Sequence, residues 1–313
     1  MIIYHVYKRC GFSCPGKNHF ELCGPCFKFG FRVISSGAKE RKGNQMGNNS
    51  GIQWTNDTWN PWQGCIKVSP GCKNCYMYQE KKRYGKDPAT VVRSKAPTFY
   101  APLKKLEGPL VFTCSWSDFF IEAADPWRAE AWDIIRRTPR LTYQILTKRP
   151  ENILDRLPAD WWTGYPNVWL GISAENQAYL DDRLNDLACI PAKVKFVSCE
   201  PLLEKIDFCH WFDIHKSGHG QYFKRPTKPA VDWVIIGGES GPGARPFNIF
   251  WAVEMVRQCQ EAGIPVFMKQ IGRRPYAGEN TSGEKHWLEP GDQKGGKIDL
   301  WPEVIQVREF PAA

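Results

Sequence analysis

Along most of the chain, short apolar runs alternate with longer stretches in which apolar residues recur at helical spacing. From Ile52 onward this rhythm predicts a parallel sheet with crossover helices, because short apolar runs bounded by turn residues read as strands buried on both faces. The predicted strands cover residues 110–114, 142–146, 168–172, 194–198, 231–236 and 265–269. Asp125-Pro126 opens a helix that continues over 127–137, the acid serving as N-cap and proline taking the first helical position. Asn248 caps a second helix, in which Ala252, Val253, Val256, Cys259 and Ala262 keep one face apolar until Gly263 ends it. Residues 179–187 form a third, polar on one face. The stretch 207–229 breaks the rhythm with three histidines, several lysines and two prolines, and reads as a surface insertion between two strands.

Residues 1–50 differ in character from the rest. Cys10, Cys14, Cys23 and Cys26 stand in a C-x3-C-x8-C-x2-C arrangement, followed by a polar stretch to Ser50. So short a segment cannot bury a core without help, so one reading is a small zinc knuckle. The competing reading is a start at Met46, with the upstream residues a mis-called extension. The expected organisation is therefore a Cys-rich extension over 1–50 and one α/β domain over 51–313.

Charge and cysteine usage narrow the class. The net charge is +9, but residues 1–45 hold eight Lys/Arg against two Asp/Glu, which leaves the main body at only +3. A diffuse phosphate-binding surface on that body does not follow from its charge. No apolar run is long enough to cross a bilayer and the first residues lack the order of a signal peptide, so no membrane partner and a cytoplasmic location are expected. Seven of the twelve cysteines fall in two tight clusters, which suits metal ligation better than a disulfide scaffold.

The second cluster is Cys65, Cys72 and Cys75, in a C-x6-C-x2-C pattern with Pro70-Gly71 forcing a turn before the close pair. Thiolates are soft ligands chosen by zinc and by iron–sulfur clusters. A structural zinc site is normally closed by four protein ligands, whereas a cluster held by three cysteines leaves one iron open. A cluster is therefore the preferred reading. A zinc site with a fourth ligand from elsewhere and three unconnected core cysteines are the alternatives.

Functional groups in a parallel βα array collect at the carboxyl ends of the strands, and here those ends are polar. They read Ser115-Trp116-Ser117-Asp118, Thr147-Lys148-Arg149, Ser173-Ala174-Glu175-Asn176, Cys199-Glu200-Pro201, Gly237-Gly238-Glu239-Ser240-Gly241 and Lys269-Gln270. Ser117, Asp118, Lys148, Ser173, Glu175, Glu200, Gly237, Gly238, Glu239 and Lys269 are the candidate ligands of a polar, multiply charged small molecule, with Glu239 suited to an ammonium group. A strand-end acid that only caps the next helix is the plainer alternative for any one of them. Other residues are weaker candidates. Cys114, Cys189, Cys209 and Cys259 read as small core residues, and Cys199 stays open. His210, His215 and His219 read as a solvated loop before a second metal site. Trp54, Trp59 and Trp62 read as shielding for a cluster before a surface for stacking bases.

The run from Trp54 through Asn60-Pro61-Trp62-Gln63-Gly64-Cys65, with Val68-Ser69-Pro70-Gly71-Cys72 and Cys75-Tyr76, resembles the phage-associated three-Cys-motif proteins. Those proteins are regarded as distant relatives of radical S-adenosylmethionine enzymes. The Ser117-Asp118-Phe119, Leu146-Thr147-Lys148-Arg149-Pro150, Leu170-Gly171-Ile172-Ser173, Ser198-Cys199-Glu200-Pro201-Leu202 and Gly237–Gly241 stretches resemble them too, so the likeness spans 52–272. The resemblance implies a partial (β/α) barrel of radical S-adenosylmethionine type. It further implies a [4Fe–4S] cluster on Cys65, Cys72 and Cys75, and S-adenosylmethionine as the small-molecule cofactor. The implied enzyme splits that cofactor to a deoxyadenosyl radical that abstracts hydrogen from a substrate. A nucleic-acid substrate is one class compatible with a phage context, and a zinc-stabilised, non-catalytic nucleic-acid-binding or phage accessory protein is the rival reading. Two departures stand out. The usual cysteine spacing in that superfamily is C-x3-C-x2-C, so the six-residue gap here must bulge. Its Gly-Gly-Glu motif normally ends the second strand, whereas here it comes far later, leaving Ser117 or Asp118 to stand at the second strand's end.

Overall fold

The structure, a computed structural model, describes residues 50–216, 222–224 and 229–312. Cys10, Cys14, Cys23, Cys26 and Met46 lie outside the described residues, as does His219.

Seven strands lie side by side in the order in which the chain makes them: β1 (Asp57–Trp59), β2 (Leu110–Thr113), β3 (Thr142–Thr147), β4 (Val168–Ser173), β5 (Val194–Cys199), β6 (Trp233–Gly237) and β7 (Val266–Gln270). Every neighbouring pair is parallel. Parallel neighbours in sequence order are the topology of a (β/α) barrel, and the sheet curls through about half of one without β1 and β7 pairing. The six predicted strands are present, each within two residues of its expected ends.

Among the described residues, the helices of eight residues or more are α1 (Tyr76–Arg83), α2 (Asp125–Arg137), α3 (Gln177–Ala188) and α4 (Ile249–Ala262). The last three return the chain between β2 and β3, β4 and β5, and β6 and β7. Asn248 caps α4 by accepting the Phe250 N–H at 3.0 Å, and Gly263 ends it in the left-handed region. Asp125 does not cap α2. The 3-10 turn Glu122–Ala124 runs straight into that helix, so Asp125 is already helical and its carboxylate pairs with Arg128 and Arg156 instead.

The two faces of the sheet bury different residues. The outer face, including Val111, Tyr143, Ile145, Leu170, Val197, Val234 and Met268, packs under the helices. The concave face holds Phe112, Trp169, Phe196, Trp233 and Phe267, with Trp54 packed against them. The C-terminal segment lies along this aromatic layer, where Phe310 packs on Trp233 and the Trp233 Nε1–H donates to the Glu309 carbonyl. Gly171 in β4 is required here, because a Cβ would sit 2.4 Å from the Phe196 ring.

Three expectations change. Residues 207–229 are not wholly a surface insertion: Phe208 and Phe212 stack in the core, and Ile214 is buried with them before the hairpin Ile214–Lys216 and Tyr222–Lys224. Apolar side chains spaced by four outweigh the polar residues around them. Cys189 is exposed at the end of α3 and Cys209 is half-buried, although Cys114, Cys199 and Cys259 are buried. The polar side of α3 is not all solvated either, since Arg183 is 3% exposed. Among the described residues, no helix is long and apolar enough to cross a membrane.

Candidate functional site

Between β1 and β2 the chain leaves the sheet for fifty residues, 60–109, and returns. Trp62–Gln63 pairs antiparallel with Val92–Arg93, closing the base of this excursion, and the Cys65 N–H donates to the Pro88 carbonyl at 3.0 Å. The excursion carries the three-cysteine loop and then α1. The end of β2 fastens it: the Gly64 N–H donates to the Trp116 carbonyl, and the Ser117 hydroxyl to the Gly64 carbonyl at 2.5 Å. Trp59 and Trp62 wedge beneath, fully buried, with their indole N–H groups on the Phe99 and Asp118 carbonyls. These tryptophans are core, and their rings are not offered to a base.

From that base the loop crosses the carboxyl edge of the sheet. Near Cys65, the Arg149 guanidinium at the end of β3 donates to the Ile66 carbonyl at 2.8 Å and lies 3.8 Å from the Cys65 sulfur. Pro70–Cys72 turns as one 3-10 turn, and the Gly71 N–H donates to Glu175 at the end of β4. Arg245, in the loop after β6, donates to the Pro70 carbonyl at 3.0 Å. Asn74 donates to Glu239 at 2.9 Å. The residues of the six-residue gap are thus the span from the end of β3 to the loops after β4 and β6. The bulge required by the spacing is an arch over the mouth.

Cys65, Cys72 and Cys75 are free thiols, all partly exposed. Burial pushes the Cys65 thiol up to about 12, with Asp118 adding to the rise and Arg149 opposing it. Burial also acts to raise Cys72, but Lys148 and the hydrogen bonds offered around Ser69 outweigh it and hold that thiol below its ordinary value. All three sulfurs act electrostatically on the Tyr78 hydroxyl, so they share one neighbourhood. Three soft donors on one loop fit an iron–sulfur cluster in kind. Among the described residues, however, no group of three or more His, Cys, Asp or Glu side chains is gathered as a metal cage.

Strand alternation sends Ser173, Ser198, Gly237 and Lys269 to the concave side, the parity of Trp169, Phe196, Trp233 and Phe267. Above the aromatic layer, Glu200 pairs with Lys269 at 2.7 Å and accepts from Ser198 at 3.2 Å. Gly237 makes room for it, since a Cβ there would meet the Glu200 carboxylate at 2.6 Å. Gly238 exchanges hydrogen bonds with Gln270, its carbonyl accepting from the side chain at 2.8 Å. Glu175 is completely buried, paired with Arg183 at 2.9 Å. Burial opposes its ionisation, yet Lys148 and Arg183 hold its carboxyl below the ordinary range. The Ser173 carbonyl accepts from the same Arg183 at 2.6 Å.

The other two candidate acids are, like Glu175 and Glu200, occupied by the protein itself. Asp118 accepts from Thr147, Lys148 N–H and Phe120 N–H, with Arg149 at 3.6 Å. Glu239, expected to receive an ammonium group, instead takes Arg245 through both oxygens as well as Asn74. Burial would raise the Glu239 carboxyl, but the hydrogen bonds and charge of Arg245 and the hydrogen bond from Asn74 together hold it below its ordinary value. Asn74, Arg149, Arg183 and Arg245 are the functional neighbours that sequence reasoning missed. Arg149 lies inside a strand end already singled out and Arg245 four residues beyond the Gly237–Gly241 loop, so their charge was the available signal. His210 lines a polar cleft by α3 with Gln177, Asp181, Asp207 and Cys209, none of them a residue of the three-cysteine loop, and the His215 side chain lies outside the described residues.

Fold and site together define an α/β half-barrel protein whose polar mouth is bridged by a three-cysteine loop. The chain belongs to the DUF5131 family, described as a protein of unknown function, whose model matches residues 49–295. No curated protein and no solved structure matches it.

Proposed function

We propose that this protein is an iron–sulfur enzyme of radical S-adenosylmethionine type, related to the phage-associated three-Cys-motif proteins. The observation that supports it is the placement of the free-thiol loop across the carboxyl edge of a parallel half-barrel, directly above a mouth lined by charged strand ends. Cys65, Cys72 and Cys75 would hold a [4Fe–4S] cluster. When bound, that cluster supplies one open coordination position and one electron.

The chain's own residues supply position and exclusion. Asp118 and Arg149 fix the first cysteine against the end of β3, and Glu175 fixes the turn that precedes the other two. Arg245, neutralised by Glu239, ties the far side of the arch. Lys148, Ser173, Glu200 and Lys269 form the polar layer facing the mouth, with complementary charges for the amino and carboxylate groups of S-adenosylmethionine. The aromatic layer beneath closes the mouth from below.

The test is anaerobic purification and cluster reconstitution, followed by iron, sulfide and zinc analysis. Iron and sulfide at four per chain are expected, with deoxyadenosine released from S-adenosylmethionine on reduction. Cys72→Ala should abolish both. Colourless protein with stoichiometric zinc on this loop, or deoxyadenosine formation that persists in Cys72→Ala, would refute the reading.

A further inference from the structure

The main body's net charge of +3 conceals a strong asymmetry. Between Cys65 and Lys105 stand ten Lys/Arg and two Asp/Glu, a net +8, while the rest of residues 46–313 sums to −5. The excess of basic over acidic residues is therefore confined to the cysteine excursion and the short helices that follow it. Lys67, Lys73, Lys82, Arg83, Lys86 and Lys95 are all exposed. Of the ten, only Arg93 has an ion-pair partner among the described residues, Glu130 at 2.7 Å.

Aromatic rings are interleaved with these charges. Tyr76 and Tyr84, at the two ends of α1, are 55% and 66% exposed. They are eight residues apart, about 12 Å along a helix axis. The Tyr76 hydroxyl donates to the Ser115 carbonyl at the end of β2, and Glu200 acts on it electrostatically. One end of the basic, aromatic face thus abuts the mouth.

We infer that the α1 face binds single-stranded nucleic acid and leads it to the mouth, so that the substrate is a nucleotide within a strand. Lys82, Arg83 and Lys86 would meet phosphates, and Tyr84 and Tyr76 would stack bases, the combination that single strands require. An anionic membrane is less well matched: the apolar Met77 on α1 is buried against the protein, so the helix has no free apolar face to insert. The inference rests on the proposed enzyme reading for its catalytic consequence. Binding itself needs neither cluster nor cofactor, so the two fail separately.

The experiment is fluorescence anisotropy of the full chain with labelled, mixed-sequence single-stranded DNA and RNA across a salt series, with anionic vesicles as the competing ligand. The triple variant Lys82→Glu, Arg83→Glu, Lys86→Glu should weaken binding about 100-fold near 0.1 M salt and flatten the log–log salt slope by about 2. Tyr84→Ala should weaken it about tenfold and leave the slope unchanged. Reversing Arg136 and Arg137 at the end of α2, which already pair with Asp133 and Asp160, is the control and should change little. Binding to neither nucleic acid, undiminished binding by the triple variant, or tighter binding to vesicles than to strands would each overturn the inference.

Discussion

The concave side of the half-barrel has two layers that solve opposite problems. Toward the amino ends of the strands it is a set of indole and phenyl rings with Trp233 at the centre, in contact with Trp54, Trp169, Phe196, Phe267 and Phe310. Toward the carboxyl ends it is built of charges, among them Glu175 with Arg183, Glu200 with Lys269 and Glu239 with Arg245. The lower layer gains from area removed from water and needs no partner-by-partner matching. The upper layer is stable only while each charge keeps its partner, because an unpaired buried ion is costly. One sheet face thus separates the part that holds the fold from the part that holds the arch.

Removing rings from the lower layer is the harshest way to test that division. Trp233→Ala should cost about 4 kcal/mol in denaturant unfolding, the usual penalty for deleting a large aromatic from a core. A loss under about 1 kcal/mol would mean that the rings are not the foundation.

Next comes Glu175→Ala, which strands Arg183 and frees Gly71. About 3 kcal/mol of destabilisation is expected, with faster amide exchange over residues 66–75. If exchange in that segment stays unchanged, the arch does not depend on Glu175.

Acid should address the upper layer selectively. Glu175 and Glu239 both have folded values below the ordinary carboxylate range. The stability they lend is therefore complete above the unfolded carboxylate value and is lost as pH falls through the lower folded values. Chemical unfolding across that acidic window should show falling stability, and the slope should shrink in Glu175→Gln. Equal slopes in both proteins would place the protonation elsewhere.

A milder change, Arg245→Ala, removes the tie to Pro70 and leaves Glu239 with Asn74. About 1 kcal/mol is expected, read as local protease sensitivity of the loop. The smallest effect belongs to Cys189→Ser, at an exposed position, where the change should fall within about 0.5 kcal/mol.

The sheet was legible because each central strand is an apolar run bounded by turn residues, as in Val168–Ser173, buried along its whole length. β1 escaped notice because only three residues of a tryptophan-rich stretch form it, too few for any period to show. The rim was legible as a set of strand ends, since topology alone brings them to one edge. What each acid does there was not legible. Glu239 was read as free for a ligand, and whether Arg245, six residues on, turns back to it depends on the path of a glycine-rich loop. Arg183 was hidden more deeply, because a charged residue in an amphipathic helix ordinarily faces water and this one turns under to Glu175.

The arch is made of early residues held by late ones. Its fastenings lie 84 residues onward at Arg149, 104 at Glu175, 165 at Glu239 and 175 at Arg245. On the ribosome, then, the three cysteines emerge long before the strand ends that fasten the arch. Their thiols wait in the open while most of the sheet is still unmade. The last tie forms only after Arg245 has left the tunnel, so the closing of the arch over the mouth is set by the order of synthesis as much as by the finished fold.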